Sequence, residues 1–297
     1  GADSLNGYGY TRATVGAGAH DTVANDAGVS NIVLSSGGSV AFSQLGNADH
    51  ETATVSGAGA SLWSDAGSVS TTINLAGTGD AATLGGGTME VGLEAQGTQL
   101  ATGAATATVN VVQGGSVVEG GSGALTIGLW DWADQAVTSV LGGSGTVTIR
   151  NGSGNLVFMG GSGSANLAGT QGMETVTAGS GNLTLQGGSA GTVFTAGSGT
   201  AMVVLSPGGG SVNFGSGATT VAQASYGAAD LYTFTAGQGG GTDIITGFRP
   251  GTDQLVFNGV SVTNDVAVGG STQLTLSDGT HVTLSGVAAF AVLPPHH

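Results

Sequence analysis

GGSGTVTI (142–149), NGSGNLVF (151–158), GGSGSANL (160–167), AGSGNLTL (178–185), AGSGTAMVV (196–204) and FGSGATTV (214–221) are variants of one unit. Each is a Gly-Ser-Gly corner followed by a β-prone run. Glycine supplies the positive φ of a tight corner, and the residues after it point alternately to the two faces of a strand. One such unit cannot bury its apolar side, whereas stacked copies bury a continuous ladder of Val, Leu and Ile. Two units per coil give a turn of about 18–20 residues that rises about 4.8 Å. The array therefore predicts an all-β parallel β-solenoid. A disordered Gly/Ser linker is the competing assignment, and the apolar residues after every corner argue against it.

Working outward, the segment before the array alternates similar short runs with glycine turns: SNIVL (30–34), SVAF (39–42), TATV (52–55), STTINL (70–75), TATVNVV (106–112) and ALTIGLW (124–130). Asp26-Ala27-Gly28 before SNIVL recurs as Asp65-Ala66-Gly67 before STTINL, the echo that stacked coils leave. After the array, a three-residue loop Ser277-Asp278-Gly279 pairs Leu274 with Val282 and Thr275 with His281. That register puts Leu274, Leu276, Val282 and Leu284 on one face of a C-terminal hairpin cap. The expected organisation is irregular solenoid coils over 1–140, the Gly-Ser-Gly solenoid over 141–225 and a C-terminal cap over 226–297.

Composition narrows the function. The 297 residues include 60 glycines, no cysteine and only 3 Lys+Arg against 18 Asp+Glu, a formal net charge of −15. Phosphate neutralisation needs Lys and Arg, so no nucleic-acid partner is expected. Anionic membrane surfaces are disfavoured for the same reason, and no apolar run reaches the length of a membrane helix, so no membrane insertion is expected. The first residues carry no basic segment followed by an apolar one, so no cleavable leader is read there. An acidic chain with few charges suits an extracellular setting where divalent cations screen carboxylates.

The block DLYTFTAGQGGGTDIITGFRPGTDQLVF (230–257) resembles the C-terminal region of RTX-type proteins exported by type I secretion, serralysin-like ones among them. The similarity covers about residues 226–290, and the Gly-Ser-Gly array is similar to a degenerate RTX nonapeptide. The resemblance implies a right-handed parallel β-roll or β-solenoid, an uncleaved C-terminal export signal and a bacterial extracellular destination. It also implies calcium held between coils by the nonapeptide aspartate. Here Thr146, Asn155, Ser164, Asn182 and Thr200 stand where that acid falls, so the middle of the array is expected to be metal-free. Asp243 keeps the family register and Asp253 is a weaker second; with Asp230 they are the candidate calcium ligands, a few sites near the C-terminus. The alternative for all three is turn chemistry, an Asp satisfying backbone N–H groups in tight loops.

Three other constellations carry chemical possibilities. His20, Asp21, Asp49, His50 and Glu51 have transition-metal ligand types, which stacking could bring together. Trp130, Asp131 and Trp132 interrupt the repeat with two indoles beside a carboxylate, as sugar-binding and protein-binding surfaces do. Gly187-Gly188-Ser189-Ala190-Gly191 matches G-x-S-x-G but sits in an array so rich in Gly and Ser that chance explains it. With no catalytic constellation, the leading expectation is a secreted, non-enzymatic structural protein that self-associates into a filament, matrix or surface layer, or acts as an adhesive rod. A calcium-dependent module binding cell-surface or matrix polysaccharide is the second. A polysaccharide-acting β-helix enzyme is the third, and it lacks a basic partner for any acid cluster.

Overall fold

In a computed structural model of the chain, the described residues are 4–8, 11–27, 30–34, 37–44, 50–64, 70–130, 136–169, 171–223 and 227–288. The side chains of 4–8, 11–13, 21–27, 30–32, 34, 42–44, 50, 51 and 151 are not described. The fold is an all-β parallel β-solenoid, divided into two compact units, Gly1–Val157 and Phe158–His297.

Consecutive strands of the first unit fall alternately into two parallel sheets. Sheet I runs through His20–Ala27, Ser39–Gln44, Ser61–Ser64, Ala81–Leu84, Gln99–Ala101, Val117–Glu119 and Val137–Leu141. Sheet II runs through Thr11–Val15, Ser30–Leu34, His50–Val55, Ser70–Leu75, Thr88–Leu93, Thr106–Val111, Leu125–Leu129 and Val147–Asn151. The strands alternate buried and outward residues; in Ser70–Leu75, Thr71, Ile73 and Leu75 are the buried ones. In-register pairing then stacks like on like: Ile73, Val91, Val109, Ile127 and Ile149 form one buried column. Each such side chain contributes about 1.5–3 kcal/mol when fully buried. SNIVL and STTINL lie in the same sheet, as their shared lead-in suggested.

The second unit repeats the plan. Sheet III holds Glu174–Thr177, Thr192–Thr195, Gly210–Asn213, Leu231–Thr235 and Gln254–Asn258. Sheet IV holds Ala165–Ala168, Leu183–Gln186, Ala201–Leu205, Thr219–Gln223 and Thr242–Thr246, with Leu167, Leu185, Val203, Val221 and Ile245 as its buried column. Regular coils advance 18 residues, as between Asn182 and Thr200, whose side chains hydrogen-bond across the coil step. Towards the C-terminal end the core becomes aromatic. Phe234 stacks on Phe214 at 4.4 Å and on Phe257 at 5.8 Å between ring centroids.

Sheet IV ends in the expected hairpin. Leu274 pairs with Val282 and Thr275 with His281, Gly279 turns the loop at φ 87°, and the four leucine and valine side chains are buried together. His281–Ser285 pairs in parallel with Thr242–Thr246, which joins the hairpin to the solenoid. Beyond it, Val262–Val268 adds a third, antiparallel strand to Ser271–Leu276.

The corner glycines require a correction. Positive φ does form a column, but in the first unit: Gly59, Gly79, Gly97 and Gly115 lie at φ 72°, 76°, 71° and 78°, each two residues before a sheet I strand. The Gly-Ser-Gly glycines Gly181, Gly199 and Gly217 are not among the positive-φ residues. They are glycine because a Cβ on each would lie 1.9, 2.0 and 1.8 Å from the carbonyl oxygen of Gly163, Gly181 and Gly199 respectively. Contact with the coil below, and not backbone conformation, dictates that repeat.

Candidate functional site

One largely buried position at the start of the sheet I and sheet III strands, just before the strand in some coils and inside it in others, forms a column in register. An unpaired buried N–H is costly, and at Ala60, Gly210 and Asp230 a side chain from the next coil meets it. In the first unit this position is Ala60, Asp80, Thr98, Ser116 and Thr138 on successive coils. In the second unit it is Glu174, Thr192, Gly210, Asp230 and Asp253. Each aspartate accepts the N–H of its counterpart one coil back: Asp80 from Ala60 at 3.0 Å, Asp230 from Gly210 at 2.6 Å, Asp253 from Asp230 at 3.1 Å. Thr98 and Ser116 hydroxyls link to each other at 2.7 Å in the same column. Stapling of coil to coil is the work these buried oxygens do.

Asp230 and Asp253 belong to a denser network. The Gln223 amide donates to a carboxylate oxygen of each, at 2.9 Å for Asp253. Arg249 forms an ion pair with Asp253 at 2.8 Å and donates to the carbonyls of Gly227 and Ala228. Burial raises the Asp253 carboxyl, but hydrogen bonds from Arg249 and the Asp230 N–H outweigh it and hold the group below the usual aspartate value. Asp230 moves the other way. Burial raises it, and Asp253's charge adds to that against the hydrogen bonds of Gln223 and Gly210.

Asp243 lies in Thr242–Thr246 at an inward position, 0% exposed, between Thr219 and Val282 in register. Its Oδ1 accepts the Thr219 N–H at 3.0 Å, the same one-coil-back bond, but its Oδ2 has no hydrogen-bond partner. Burial pushes its carboxyl up to about 7, offset only in part by Thr219.

A calcium ion takes about six to eight oxygens. Asp230 and Asp253 already accept hydrogen bonds on all four oxygens, and the Arg249 guanidinium holds a positive charge beside them. Asp243 has one free oxygen. No group of three or more His, Asp or Glu among the described residues is placed to share a metal ion. Of the three sequence-derived candidates, Asp230 and Asp253 are thus brought together and Asp243 stands in a different sheet.

The other candidates separate as follows. His20–Ala27 belongs to sheet I and His50–Val55 to sheet II, so stacking does not align the two histidine clusters. His20 Nδ1 instead hydrogen-bonds Ser39 Oγ one coil on; Asp49 and the side chains of Asp21, His50 and Glu51 lie outside the described residues. Gly187–Gly191 forms the link between two strands, with the Gly188 N–H donating to Glu174. Trp130 is 51% exposed, and its Nε1 would lie 2.7 Å from a Cβ on Gly128, so the indole folds back over that glycine. Asp131 and Trp132 lie outside the described residues.

One feature was missed from the sequence. The outward face of sheet I carries a groove of about 280 Å³ around Trp63 that adjoins another of about 230 Å³, the two sharing Ala81 and Thr83. The signal was present in Ser61-Leu62-Trp63-Ser64, where a buried Leu62 forces Trp63 outward. No family model, curated protein or solved structure matches the chain.

Proposed function

We propose that this chain is a secreted, non-enzymatic structural β-solenoid that self-associates into an extracellular filament, matrix or surface layer. The observation that carries this is a sheet edge. Among the described residues, Gln254–Asn258 pairs on one side only, and its sequence QLVFN has no charge and no proline to discourage further pairing. Leu255, Val256 and Phe257 are only half-buried there. An unguarded parallel edge favours head-to-tail addition of another copy, and a repeated heterologous contact that does not close gives a filament. The buried acids support a structural role as well, since they are occupied in linking coils.

The RTX-type resemblance of residues 226–290 adds export by type I secretion and a bacterial cell-surface setting to this proposal. The same resemblance supports, as a second reading, a calcium-dependent module with calcium bound near the C-terminus, in which calcium would change the far-ultraviolet circular dichroism of the protein. Assembly is tested by light scattering and electron microscopy of the purified protein. Long particles are expected, shortened by Gln254→Lys with Asn258→Lys on the edge strand. Monomers at every protein and calcium concentration would refute it.

A further inference from the structure

We propose that the outward face of sheet I is a binding groove for a neutral, hydroxyl-rich polysaccharide lying across the strands. This surface is distinct from the assembly edge and does not depend on assembly. The two adjoining hollows follow five successive strands, from Ser39–Gln44 to Val117–Glu119. At about 4.8 Å per strand the two hollows together make a trough that spans about 19 Å across the strands. A compact metabolite does not need such a shape, whereas a linear polymer does.

The lining selects the polymer's chemistry. Two outward rows run in register along the trough, Ser39–Ser61–Ala81–Gln99–Val117 and Ala41–Trp63–Thr83–Ala101–Glu119. Alanines 41, 81 and 101 keep the floor low. Ser61, Thr83 and Gln99 offer hydroxyl and amide groups, each able to donate and accept hydrogen bonds. Trp63, 44% exposed, gives an apolar platform with one N–H donor, suited to the C–H face of a sugar ring.

Charge excludes the polyanions. Glu119 is the one charged side chain lining the trough, and the chain carries −15 overall with 3 Lys+Arg, so nucleic acids and acidic glycans are repelled. An extended peptide is excluded on different grounds. It binds sheets by adding a strand to a free edge, and the inner strands of sheet I already pair on both sides. Recognition on this face runs through side chains alone, and these match a polymer that is itself neutral and covered in hydroxyls.

The test is retention by gels or particles of cellulose, chitin, β-1,3-glucan and starch, with alginate as the acidic control. Wild type is expected to bind at least one neutral polymer and not alginate. Trp63→Ala is expected to weaken that binding about tenfold or more, and Trp130→Ala to leave it unchanged. Ala81→Arg fills the trough from a half-exposed position and should block binding while the circular dichroism stays native. Retention by none of the neutral polymers overturns the proposal, as does preference for alginate or binding that survives both Trp63→Ala and Ala81→Arg. Because Gln254 and Asn258 play no part in the trough, loss of filaments with glycan retention intact separates this result from the assembly proposal.

Discussion

The corners before the sheet I strands and the Gly-Ser-Gly corners serve the same architecture on different principles. In the first, a column of glycines at φ near 70–80° turns the chain, and a substituent at Gly59 or Gly79 would meet open space. In the second, the Gly-Ser-Gly glycines avoid positive φ but press against the carbonyls of the coil below. The same residue is demanded once by a dihedral angle and once by proximity. The first demand has a known modest cost, because an L-residue can enter the left-handed region at about 1–2 kcal/mol. The second has no cheap solution, because the obstructing atom is backbone.

Gly199→Ala is expected to have the largest effect. Its Cβ would sit 2.0 Å from the Gly181 oxygen, so the coils must separate and the ladder on both sides is lost. A loss above about 3 kcal/mol is expected from urea denaturation, beyond the usual range for overpacking. Should Gly199→Ala cost no more than a positive-φ substitution, the distinction between the two corners collapses.

Next in size is a contrast between carboxylates. Asp80 places both oxygens on backbone N–H groups, from Ala60 and Gly77, whereas Asp243 places one. The folded-state value of Asp243 is raised from 3.8 to about 7. Its stabilising, protonated form is therefore fully favourable below about pH 4, and that contribution is lost as the pH rises through about 7. Asp243→Asn is expected to be about 2–4 kcal/mol more stable than the parent at about pH 8 and close to it at about pH 4. Asp80, raised in the same direction by burial but offset by its N–H donors, should respond less to the same substitution. A flat difference between parent and Asp243→Asn across that range would show that the orphaned oxygen finds a partner.

The smallest effect is expected at Gly97. Its φ is 71°, and a Cβ placed there would come no closer than 3.7 Å to any neighbouring atom. Gly97→Ala should therefore cost about 1–2 kcal/mol in the same urea experiment.

These contrasts also mark what the sequence discloses. The solenoid was legible because period-two alternation after each corner leaves Val, Leu and Ile facing one way, and the cap register followed from keeping Leu274 and Leu284 on one face. The reason for the Gly-Ser-Gly glycines was not legible, since a one-dimensional repeat does not say whether a small residue serves its own dihedral or its neighbour's carbonyl. Asp230 and Asp253 looked like metal ligands because an acid after glycines suits both a cation and an N–H. What decides between them is Gln223, seven residues before Asp230, and Arg249, four before Asp253, and neither spacing is a motif that marks a partner. Trp63 escaped notice because a trough on a sheet face is made by the small residues of other coils, Ala81 and Ala101 among them.

The coil step has a further consequence. Where Asn182 meets Thr200 or Thr98 meets Ser116, one coil is 18 residues; between Thr219 and Asp243 it is 24, with the extra residues taken up outside the paired strands. Every column survives any change that removes or duplicates a whole step. Such a chain can lengthen or shorten by modules without rewriting its contacts, and tolerates insertions at corners far better than single-residue slips within a strand. Its length is a variable that recombination between neighbouring repeats can tune, while its cross-section stays fixed.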